Sequence, residues 1–359
     1  DYSGGATCPS LLLEPSRTNL LPYSEYFGGW TTFRSSVSAN EATSPEGLIN
    51  AYKLIQQSGQ TTSGGVFKGV TTIDATTYTY TFFAKEAGYG WCYARLTGGG
   101  NDYYAWFDLS NGVKGNVTNG ATSSIEPYGN DWYRCSITFA NLGTSSIPHI
   151  YIAEANSSGN VSNPDGVKGI NIYGAQLEQG SYPTSYIPTY GVSQTRATEF
   201  CNGAGDVNTF NSTEGVLYTE ISALSNDGAN RAISIYKDSS LDNLINIQYN
   251  SVSQNIRYLY RQGVSSIADL NFVVSDITSV HKIAGSWANN NFRLFVDGVK
   301  VGEQLSGNVA PANTFITLGF NRPNAIPFEG KAKQVIVFKE ALSDLDLAIL
   351  TGATTYNTF

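Results

Sequence analysis

The feature that most constrains the fold is a strand-like pattern that recurs along almost the whole chain. Short segments alternate polar and apolar residues or run apolar, and Gly, Asn or Pro separates one segment from the next, which is typical of β-strands joined by turns. In the first half these segments are 78–84, 91–96, 103–109, 132–139 and 149–155. Strands at this spacing predict a β-sandwich.

A segment at 174–189 that contains two prolines marks the end of a first domain. Pro183 and Pro188 exclude a central strand or a helix and hold the backbone in an extended path. After Thr198 the strand pattern restarts, in the segments 215–221, 231–236, 244–249, 255–260, 281–287, 292–301, 315–320 and 333–338. We predict an all-β fold class with two antiparallel β-sandwich (jelly-roll) domains in tandem. The predicted bounds are 1–17 for an N-terminal extended segment, 18–198 for the first domain and 199–359 for the second.

Composition argues against two classes of partner. Charged residues are only 14% of the chain, and the net charge of −8 comes without a cluster of Lys or Arg, so the attraction that dominates nucleic-acid binding is missing. No apolar run is long enough to span a membrane, and the first residues lack the features of a signal peptide. We therefore expect no nucleic-acid partner and no membrane insertion.

Since the chain contains no Met, we also expect Asp1 to lie within a longer translation product.

Strand alternation sorts the first domain's side chains into two faces, because successive residues of a strand point to opposite sides. One set is apolar and predicts the core: Cys92, Ala94, Leu96, Ala105, Phe107, Leu109, Tyr133, Cys135, Ile137, Phe139, Ile150 and Ile152. The other set is rich in aromatic residues and Arg: Trp91, Tyr93, Arg95, Tyr104, Trp106, Trp132, Arg134, His149 and Tyr151. The second set does not resemble an ordinary solvated sheet surface.

Aromatic rings beside fixed polar groups are what glycan binding requires, since sugar rings stack on aromatic faces and their hydroxyls need hydrogen-bond partners. We predict a glycan-binding face with polar anchors at Arg95 and Arg134 and with the rings Trp91, Tyr93, Tyr104 and Trp106. At about 1 kcal/mol for one stacked ring, Trp106→Ala is expected to weaken binding roughly fivefold and leave the fold intact. Two alternatives stay open: a loop, the N-terminal segment or the second domain covers these rings, or the face is a protein interface.

Three segments of the first 200 residues resemble a jelly-roll module of bacteriophage tail-fibre and other virion proteins. They are 11–21 (LLLEPSRTNLL), 131–135 (DWYRC) and 174–189 with the following Thr195–Thr198. Such modules are similar in fold to carbohydrate-binding modules.

The second domain resembles the concanavalin A-like, laminin G-like sandwich over about 215–351. The resemblance rests on the order of segments 214–218, 281–287, 328–338 and 342–350, with a hairpin between the second and the third. Asp297-Gly298 between apolar strands is the favoured type I′ turn for that hairpin.

Together the resemblances imply a non-enzymatic virion surface or fibre protein, extracellular, that binds host or environmental glycans. The implied partners are a polysaccharide or cell-surface glycan and other virion proteins, and a homo-oligomer is expected. The alternative is a purely structural virion or assembly protein whose sandwiches mediate protein–protein contacts.

The four cysteines, Cys8, Cys92, Cys135 and Cys201, lack the close spacing of a zinc site. The ends of a jelly roll commonly lie close together, and Cys8 and Cys201 flank the first domain. This placement suggests a Cys8–Cys201 disulfide in an oxidising medium. Cys92 and Cys135 fall in strand patterns and are expected to be small buried residues.

Catalysis is not expected. His149 and His281 fall in different domains, which argues against a Ser-His-Asp arrangement, and each is expected to make a local hydrogen bond. The Glu-x-Asp-x-x-Glu pattern of concanavalin-like hydrolases is absent, and isolated acids stand at Glu154, Glu178, Glu220 and Glu329. No cofactor is expected. Asn163 and Asp165 could help to hold a structural Ca²⁺, but a simple Asn-Pro-Asp-Gly turn is the favoured interpretation.

Overall fold

The computed structural model describes residues 9–250, 254–323 and 326–353. Their chain forms two compact units, of which one is continuous, Ser16–Ala197, and is called the first sandwich below. The other combines the residues up to Pro15 with those from Thr198 onward and is called the second sandwich. The short strand β1 (Leu11–Leu13) belongs to the second sandwich, since it pairs antiparallel with residues 330–332.

The first sandwich consists of two antiparallel sheets and one additional pair of short strands. In chain order its strands are β2 Arg17–Asn19, β3 Thr31–Phe33, β4 Ser35–Thr43, β5 Ile49–Gln56, β6 Gly65–Phe67, β7 Val70–Thr71, β8 Thr76–Ala87, β9 Trp91–Gly98, β10 Asn101–Asp108, β11 Val113–Val117, β12 Thr122–Pro127, β13 Tyr133–Asn141, β14 Ser145–Ala153, β15 Gly169–Gln179 and β16 Gln194–Arg196. Sheet I has the order β11–β10–β9–β14–β6–β3, and β7 also pairs with β14. Sheet II has the order β12–β13–β8–β15–β5–β4, while β2 and β16 pair with each other.

The core of the first sandwich follows the predicted alternation. Cys92 and Phe107 of sheet I and Cys135 and Ile137 of sheet II are fully buried in one apolar cluster. Both cysteines are free thiols, and burial raises the pKa of Cys135 well above its usual value. Because a sheet that is apolar on one face must bury it against another layer, two such sheets form a sandwich. The predicted all-β fold built from antiparallel sandwiches is confirmed.

The segment that follows β15 is held by buried polar side chains in place of a strand ladder. Glu178 accepts hydrogen bonds from the Thr184 backbone N–H (2.9 Å) and the Thr184 hydroxyl (2.6 Å), and Gln176 accepts the Ile187 N–H (2.7 Å). The Asn19 amide donates to the Ile187 carbonyl (2.8 Å). Since buried backbone groups need partners, these contacts fix the extended path that the prolines impose.

The second sandwich consists of two antiparallel sheets of six strands each. Its further elements are β17 Asn202–Ala204, β18 Gly215–Ala223, β19 Arg231–Tyr236, β20 Leu244–Asn250, β21 Asn255–Gln262, β22 Ser265–Val273, β23 His281–Ala288, β24 Asn291–Val296, β25 Val299–Gln304, β26 Thr317–Gly319, β27 Asn321–Arg322, β28 Ile326–Pro327, β29 Gly330–Phe338 and the helix α1 Asp344–Thr351. Sheet III has the order β1–β29–β18–β23–β24–β25, and sheet IV has the order β17–β26–β19–β20–β21–β22. Strands β27 and β28 form a separate small hairpin.

The hairpin and the helix of the second sandwich form where the sequence predicts them. Asp297 (φ 49°) and Gly298 (φ 88°) are both left-handed, as a type I′ turn requires. Helix α1 begins after Ser343, whose hydroxyl accepts the Asp346 N–H, and ends at the left-handed Gly352. None of the described helical segments has the length and apolar character needed to cross a bilayer.

Candidate functional site

The outer face of sheet I brings aromatic side chains from neighbouring strands into rows. In the register of β14, β9 and β10, Tyr151 lies opposite Tyr93, and Tyr93 lies opposite Trp106. The next row along the strands pairs His149 with Arg95 and Arg95 with Tyr104. Because side chains directly opposite each other on one face are near neighbours, the register converts the sequence alternation into a continuous surface.

The rings of these rows stack on one another and form what we call the aromatic ladder: Phe67, His149, Tyr151, Tyr93, Trp106 and Tyr104. Ring centroids are 4.7 Å apart for Tyr93–Tyr151, 5.3 Å for Tyr93–Trp106 and 5.6 Å for Tyr104–Trp106. His149 stacks on Tyr151 at 5.4 Å and approaches Phe67 at 4.9 Å. For the cross-strand pairs Tyr93–Tyr151, Tyr93–Trp106 and Phe67–His149 the distances are close to the spacing of neighbouring strands, about 4.8 Å, so the strand pairing sets this part of the stack. Each contact contributes roughly 0.5–1.5 kcal/mol beyond burial.

Two glycines make room for the rings on the flanking strands. A Cβ atom at Gly65 would lie 2.5 Å from Cδ1 of Tyr151, and one at Gly115 would lie 2.9 Å from Trp91 and Trp106 atoms. Any side chain at these positions would displace the neighbouring rings. The ladder therefore depends on strands β6 and β11 as well as on the strands that carry its central rings.

An ion pair lies at the β10 edge of the ladder. The guanidinium of Arg95 contacts the Asp102 carboxylate at 2.8 Å and lies 5.8 Å from the centroid of the Tyr104 ring, and the Thr97 hydroxyl donates to Asp102 at 2.8 Å. Partial burial raises the pKa of Asp102, but the hydrogen bonds from Arg95 and Thr97 outweigh it, and the pKa is lower than usual. Both side chains of the pair are about one-third exposed, 31% and 34%. We call Arg95, Asp102, Thr97 and Tyr104 the polar end of the ladder.

His149 has a structural role within the ladder. Its Nδ1 lies 2.8 Å from the Ile147 carbonyl oxygen, so this nitrogen carries the proton and donates. Burial lowers the pKa of His149 to about 4, which leaves the ring neutral at neutral pH. The local hydrogen bond expected for this residue is present.

A loop partly covers the central rings. The Trp106 indole N–H donates to the Ser158 carbonyl oxygen at 3.0 Å, and Asn156 accepts the Asn116 N–H at 2.7 Å. Tyr93 and Trp106 are only 8% exposed, so their ring faces contact other rings rather than solvent. The expectation that Trp106 could be removed without cost to the fold does not fit this burial. Accessible surface lies instead at the polar end and at Trp91, which is half-buried.

Arg134 does not belong to this face. It lies on β13 of sheet II, where its guanidinium donates to the Thr184 carbonyl oxygen at 2.6 Å and lies 5.8 Å from the centroid of the Phe83 ring. Alternation in the sequence placed Trp132 in the same aromatic set, but Trp132 packs with Phe83 on the outside of sheet II. Alternation separates inward from outward residues, but it does not tell which of the two sheets carries a strand. The structure brings together Trp91, Tyr93, Arg95, Tyr104 and Trp106 and places Arg134 elsewhere.

The residues that the sequence suggested for metal binding or catalysis make local contacts. Asp165 accepts the N–H groups of Val167 and Lys168, both at 2.8 Å, as in a turn. His281 contacts the Asp297 carboxylate at 2.6 Å through Nδ1. Within residues 9–250, 254–323 and 326–353, His, Cys, Asp and Glu form no group of three or more that could hold a metal ion. Cys8 lies outside the described residues, so the Cys8–Cys201 disulfide stays a prediction.

Sequence reasoning missed four residues that shape the site: Asp102, Thr97, Phe67 and Gly65. Asp102 could have been found, since it precedes Tyr104 by two residues and alternation places it on the same face. Thr97 follows Arg95 by two residues in the same way. Phe67 and Gly65 lie in the three-residue strand β6, which is too short to show a periodicity.

An open groove also occurs among the described residues of each sandwich. That of the second sandwich, about 480 Å³, is lined mainly by apolar residues, including Phe210, Phe320 and Val337. That of the first, about 490 Å³, is lined by Arg17, Gln179 and several threonines. Neither groove contains the residues of the aromatic ladder.

One part of the chain matches a known protein family. Residues 210–348 match the sequence profile of a family described as the concanavalin A-like lectin/glucanases superfamily. A concanavalin A-like domain occupies this stretch. No curated protein sequence matches the chain.

Several solved structures are similar to the chain at low sequence identity. The CBM40 module of the Ruminococcus gnavus IT-sialidase is 14% identical, with a TM-score of 0.35, and the match covers 44% of this chain and 98% of that one. Domains LG4-5 of the mouse laminin α1 chain are 10% identical, with a TM-score of 0.29, over 84% of this chain and 90% of that one. The module CBM66 from Bacillus subtilis is 12% identical, with a TM-score of 0.27, over 42% and 84%.

Proposed function

We propose that the first sandwich binds glycans without catalysis, at the polar end of its aromatic ladder. The observation that carries this proposal is the Arg95–Asp102 pair, one-third exposed beside the ring of Tyr104. An ionic pair supplies both donors and acceptors for sugar hydroxyls, and an adjacent ring offers an apolar surface for the sugar's C–H groups. The stacked rings behind hold both in place before a ligand arrives, which reduces the entropic cost of binding.

This assignment gives the rings two roles. Tyr104 and Trp91 are half-buried and are the rings that a ligand can contact. Tyr93, Trp106 and Tyr151 are 7–8% exposed and support the contacting residues. A ligand would therefore contact one margin of the face rather than the middle of the ladder.

The absence of catalysis is part of the proposal. Both histidines are engaged in local hydrogen bonds, and two of the acids singled out in the sequence also have structural partners. Glu178 holds Thr184, and Glu220 pairs with Lys333 at 3.0 Å. These contacts support a binding role over an acid–base role.

We also propose that the chain is a component of a virion surface or fibre, extracellular and homo-oligomeric, with other virion proteins as neighbours. This part rests on the resemblance of the segments at 11–21, 131–135 and 174–189 to bacteriophage jelly-roll modules. The second candidate function is purely structural, with the outer face of sheet I packed against another protein. The low exposure of Tyr93, Trp106 and Tyr151 favours that alternative.

A glycan array distinguishes the two functions. The wild-type chain is expected to bind a defined subset of glycans, and Tyr104→Ala is expected to lose that subset. Tyr128→Ala is the matched control, since Tyr128 is a 53% exposed tyrosine of the same sandwich that packs against Phe83 of sheet II. Silence of the wild-type chain across the array, or equal losses in both variants, would favour the structural function.

A further inference from the structure

The polar end of the ladder is a block of four side chains on two neighbouring strands. In the register of β9 and β10, Arg95 lies opposite Tyr104, and Thr97 lies opposite Asp102. The Arg95–Asp102 ion pair, at 2.8 Å, therefore crosses the block diagonally, since diagonal neighbours on one face of paired strands are within reach of long side chains. The exposed Asn119 borders the block, because its amide donates to the backbone carbonyl oxygen of Asp102. One cation, one anion and one aromatic ring thus share a single margin of the sheet.

The two charges of this block cancel. Among the described residues, neither Arg95 nor Asp102 forms an ion pair with a third group. His149 lies opposite Arg95 on β14 and is neutral at neutral pH, because burial lowers its pKa to about 4. A ligand at this margin therefore meets a hydrogen-bond donor beside an acceptor, with no net charge to attract an anion.

Asp102 retains room for one more hydrogen bond. Its Oδ1 accepts the Thr97 hydroxyl at 2.8 Å, and its Oδ2 accepts Arg95 at 2.8 Å and the Tyr104 hydroxyl at 3.4 Å. A carboxylate has about four acceptor positions, so Oδ1 can accept a further hydroxyl from a ligand. Partial burial raises the pKa of Asp102, but the hydrogen bonds from Arg95 and Thr97 outweigh it, so the group is ionised at neutral pH. An ionised carboxylate accepts hydrogen bonds and donates none.

This arrangement suits a neutral sugar better than an acidic one. The carboxylate or sulfate of an acidic sugar has no proton to donate to Asp102, and the like charge of Asp102 repels it. It would also share Arg95 with a carboxylate that is already in contact at 2.8 Å. Two adjacent hydroxyls meet neither obstacle, since each hydroxyl both donates and accepts.

We propose that the polar end selects neutral sugars that carry two adjacent free hydroxyls, and that Asp102 sets this selectivity. One hydroxyl donates to Oδ1 of Asp102, its neighbour accepts from the Arg95 guanidinium, and the C–H face of the sugar contacts the Tyr104 ring. The exposed amide of Asn119 is a further polar partner at the rim. This inference rests on the proposed function, since it names the class of ligand for the same site.

The test is a glycan array on which each neutral glycan stands beside a counterpart that carries a uronate or a sulfate ester. We expect the full chain to bind neutral members and to bind their charged counterparts roughly tenfold more weakly or less. Asp102→Asn keeps the size of the side chain and removes its charge, so it is expected to reduce this preference roughly tenfold. Asp131→Asn is the matched control, since it removes an aspartate from another exposed ion pair of the same sandwich, Lys85–Asp131 at 3.2 Å. The control is expected to keep the preference within about twofold.

The outcomes separate this inference from the proposed function. A wild-type chain that binds no glycan refutes both. A wild-type chain that prefers the charged counterparts supports glycan binding and refutes the inference alone, as does an Asp102→Asn variant with the wild-type preference.

A second variant distinguishes the charge of Asp102 from its position. Thr97→Val removes one hydrogen bond to Asp102 without changing any charge, so we expect weaker binding of neutral and charged glycans alike, with the neutral preference retained. Loss of the preference in Thr97→Val would contradict a selectivity set by charge. Ionic strength gives an independent readout: added salt should weaken the binding of charged glycans to Asp102→Asn and leave the binding of neutral glycans to the wild type unchanged.

Discussion

Replacement of Trp106 by Ala is expected to destabilise the first sandwich, although the residue lies outside its core. The ring stacks between Tyr93 at 5.3 Å and Tyr104 at 5.6 Å, and its N–H donates to the Ser158 carbonyl oxygen. Two ring contacts at roughly 0.5–1.5 kcal/mol each and one hydrogen bond of about 1 kcal/mol give a loss of about 2–4 kcal/mol. For a domain of this size, each kcal/mol lowers the melting temperature by about 2–4 °C.

Thermal unfolding followed by circular dichroism or calorimetry measures this loss. We expect a decrease of roughly 5–15 °C for the transition of the first sandwich. Tyr104→Ala is the matched comparison, since that ring is half-buried at the margin of the ladder and contacts Trp106 from one side. Its melting temperature is expected to fall by less than half as much. A Trp106→Ala variant that melts like the wild type would refute the view that the ladder is a structural stack.

Three further predictions concern His149, Gly65 and the Cys8–Cys201 pair. Folded His149 has a pKa of about 4, whereas an unfolded His titrates near 6.5, so the unfolded chain binds a proton that the folded chain does not. The free energy of unfolding should therefore fall by up to about 3 kcal/mol as the pH is lowered through this window. Urea unfolding of His149→Phe at several pH values should show a smaller decrease than the wild type. An equal decrease in both proteins would argue against a neutral buried ring. Gly65→Ala places a Cβ atom 2.5 Å from Tyr151 and should lower the melting temperature by several degrees. Gly159→Ala is the matched control, since Gly159 also lacks a left-handed backbone and has no atom within 4 Å of the added Cβ; equal effects would contradict the packing argument. A Cys8–Cys201 disulfide should appear in non-reducing peptide mapping of protein prepared under oxidising conditions. In the chain-entropy model it adds on the order of 4–5 kcal/mol to the free energy of unfolding. Recovery of both cysteines as free thiols would refute the disulfide.

Strand alternation predicted much of this fold, because burial on one face of a sheet imposes a period of two. It placed Cys92, Phe107 and Ile152 in the core and Tyr93 and Trp106 outside it. The Asp297-Gly298 pair likewise predicted a tight hairpin, since few residues adopt positive φ angles readily.

The composition of the site was less predictable, because it depends on which strands become neighbours. Arg134 and Arg95 both alternate with core residues, yet they lie on the outer faces of different sheets. The pairing of Arg95 with Asp102 requires the β9–β10 register, and the cover over Trp106 requires the position of Ser158, about fifty residues further along the chain. Exposure is likewise a tertiary property, since each ring of the ladder is shielded by rings from other strands.

Isothermal titration of a glycan selected on the array, with wild type and Arg95→Gln compared, tests the central claim most directly. The account predicts that Arg95→Gln weakens binding at least tenfold, since a charged hydrogen bond contributes about 1.5–3 kcal/mol. Arg34→Gln, which removes another arginine of the same sandwich, located beside Phe33 of β3, should bind like the wild type. Unchanged affinity in Arg95→Gln, with its melting temperature also unchanged, would contradict a glycan site at the polar end of the ladder.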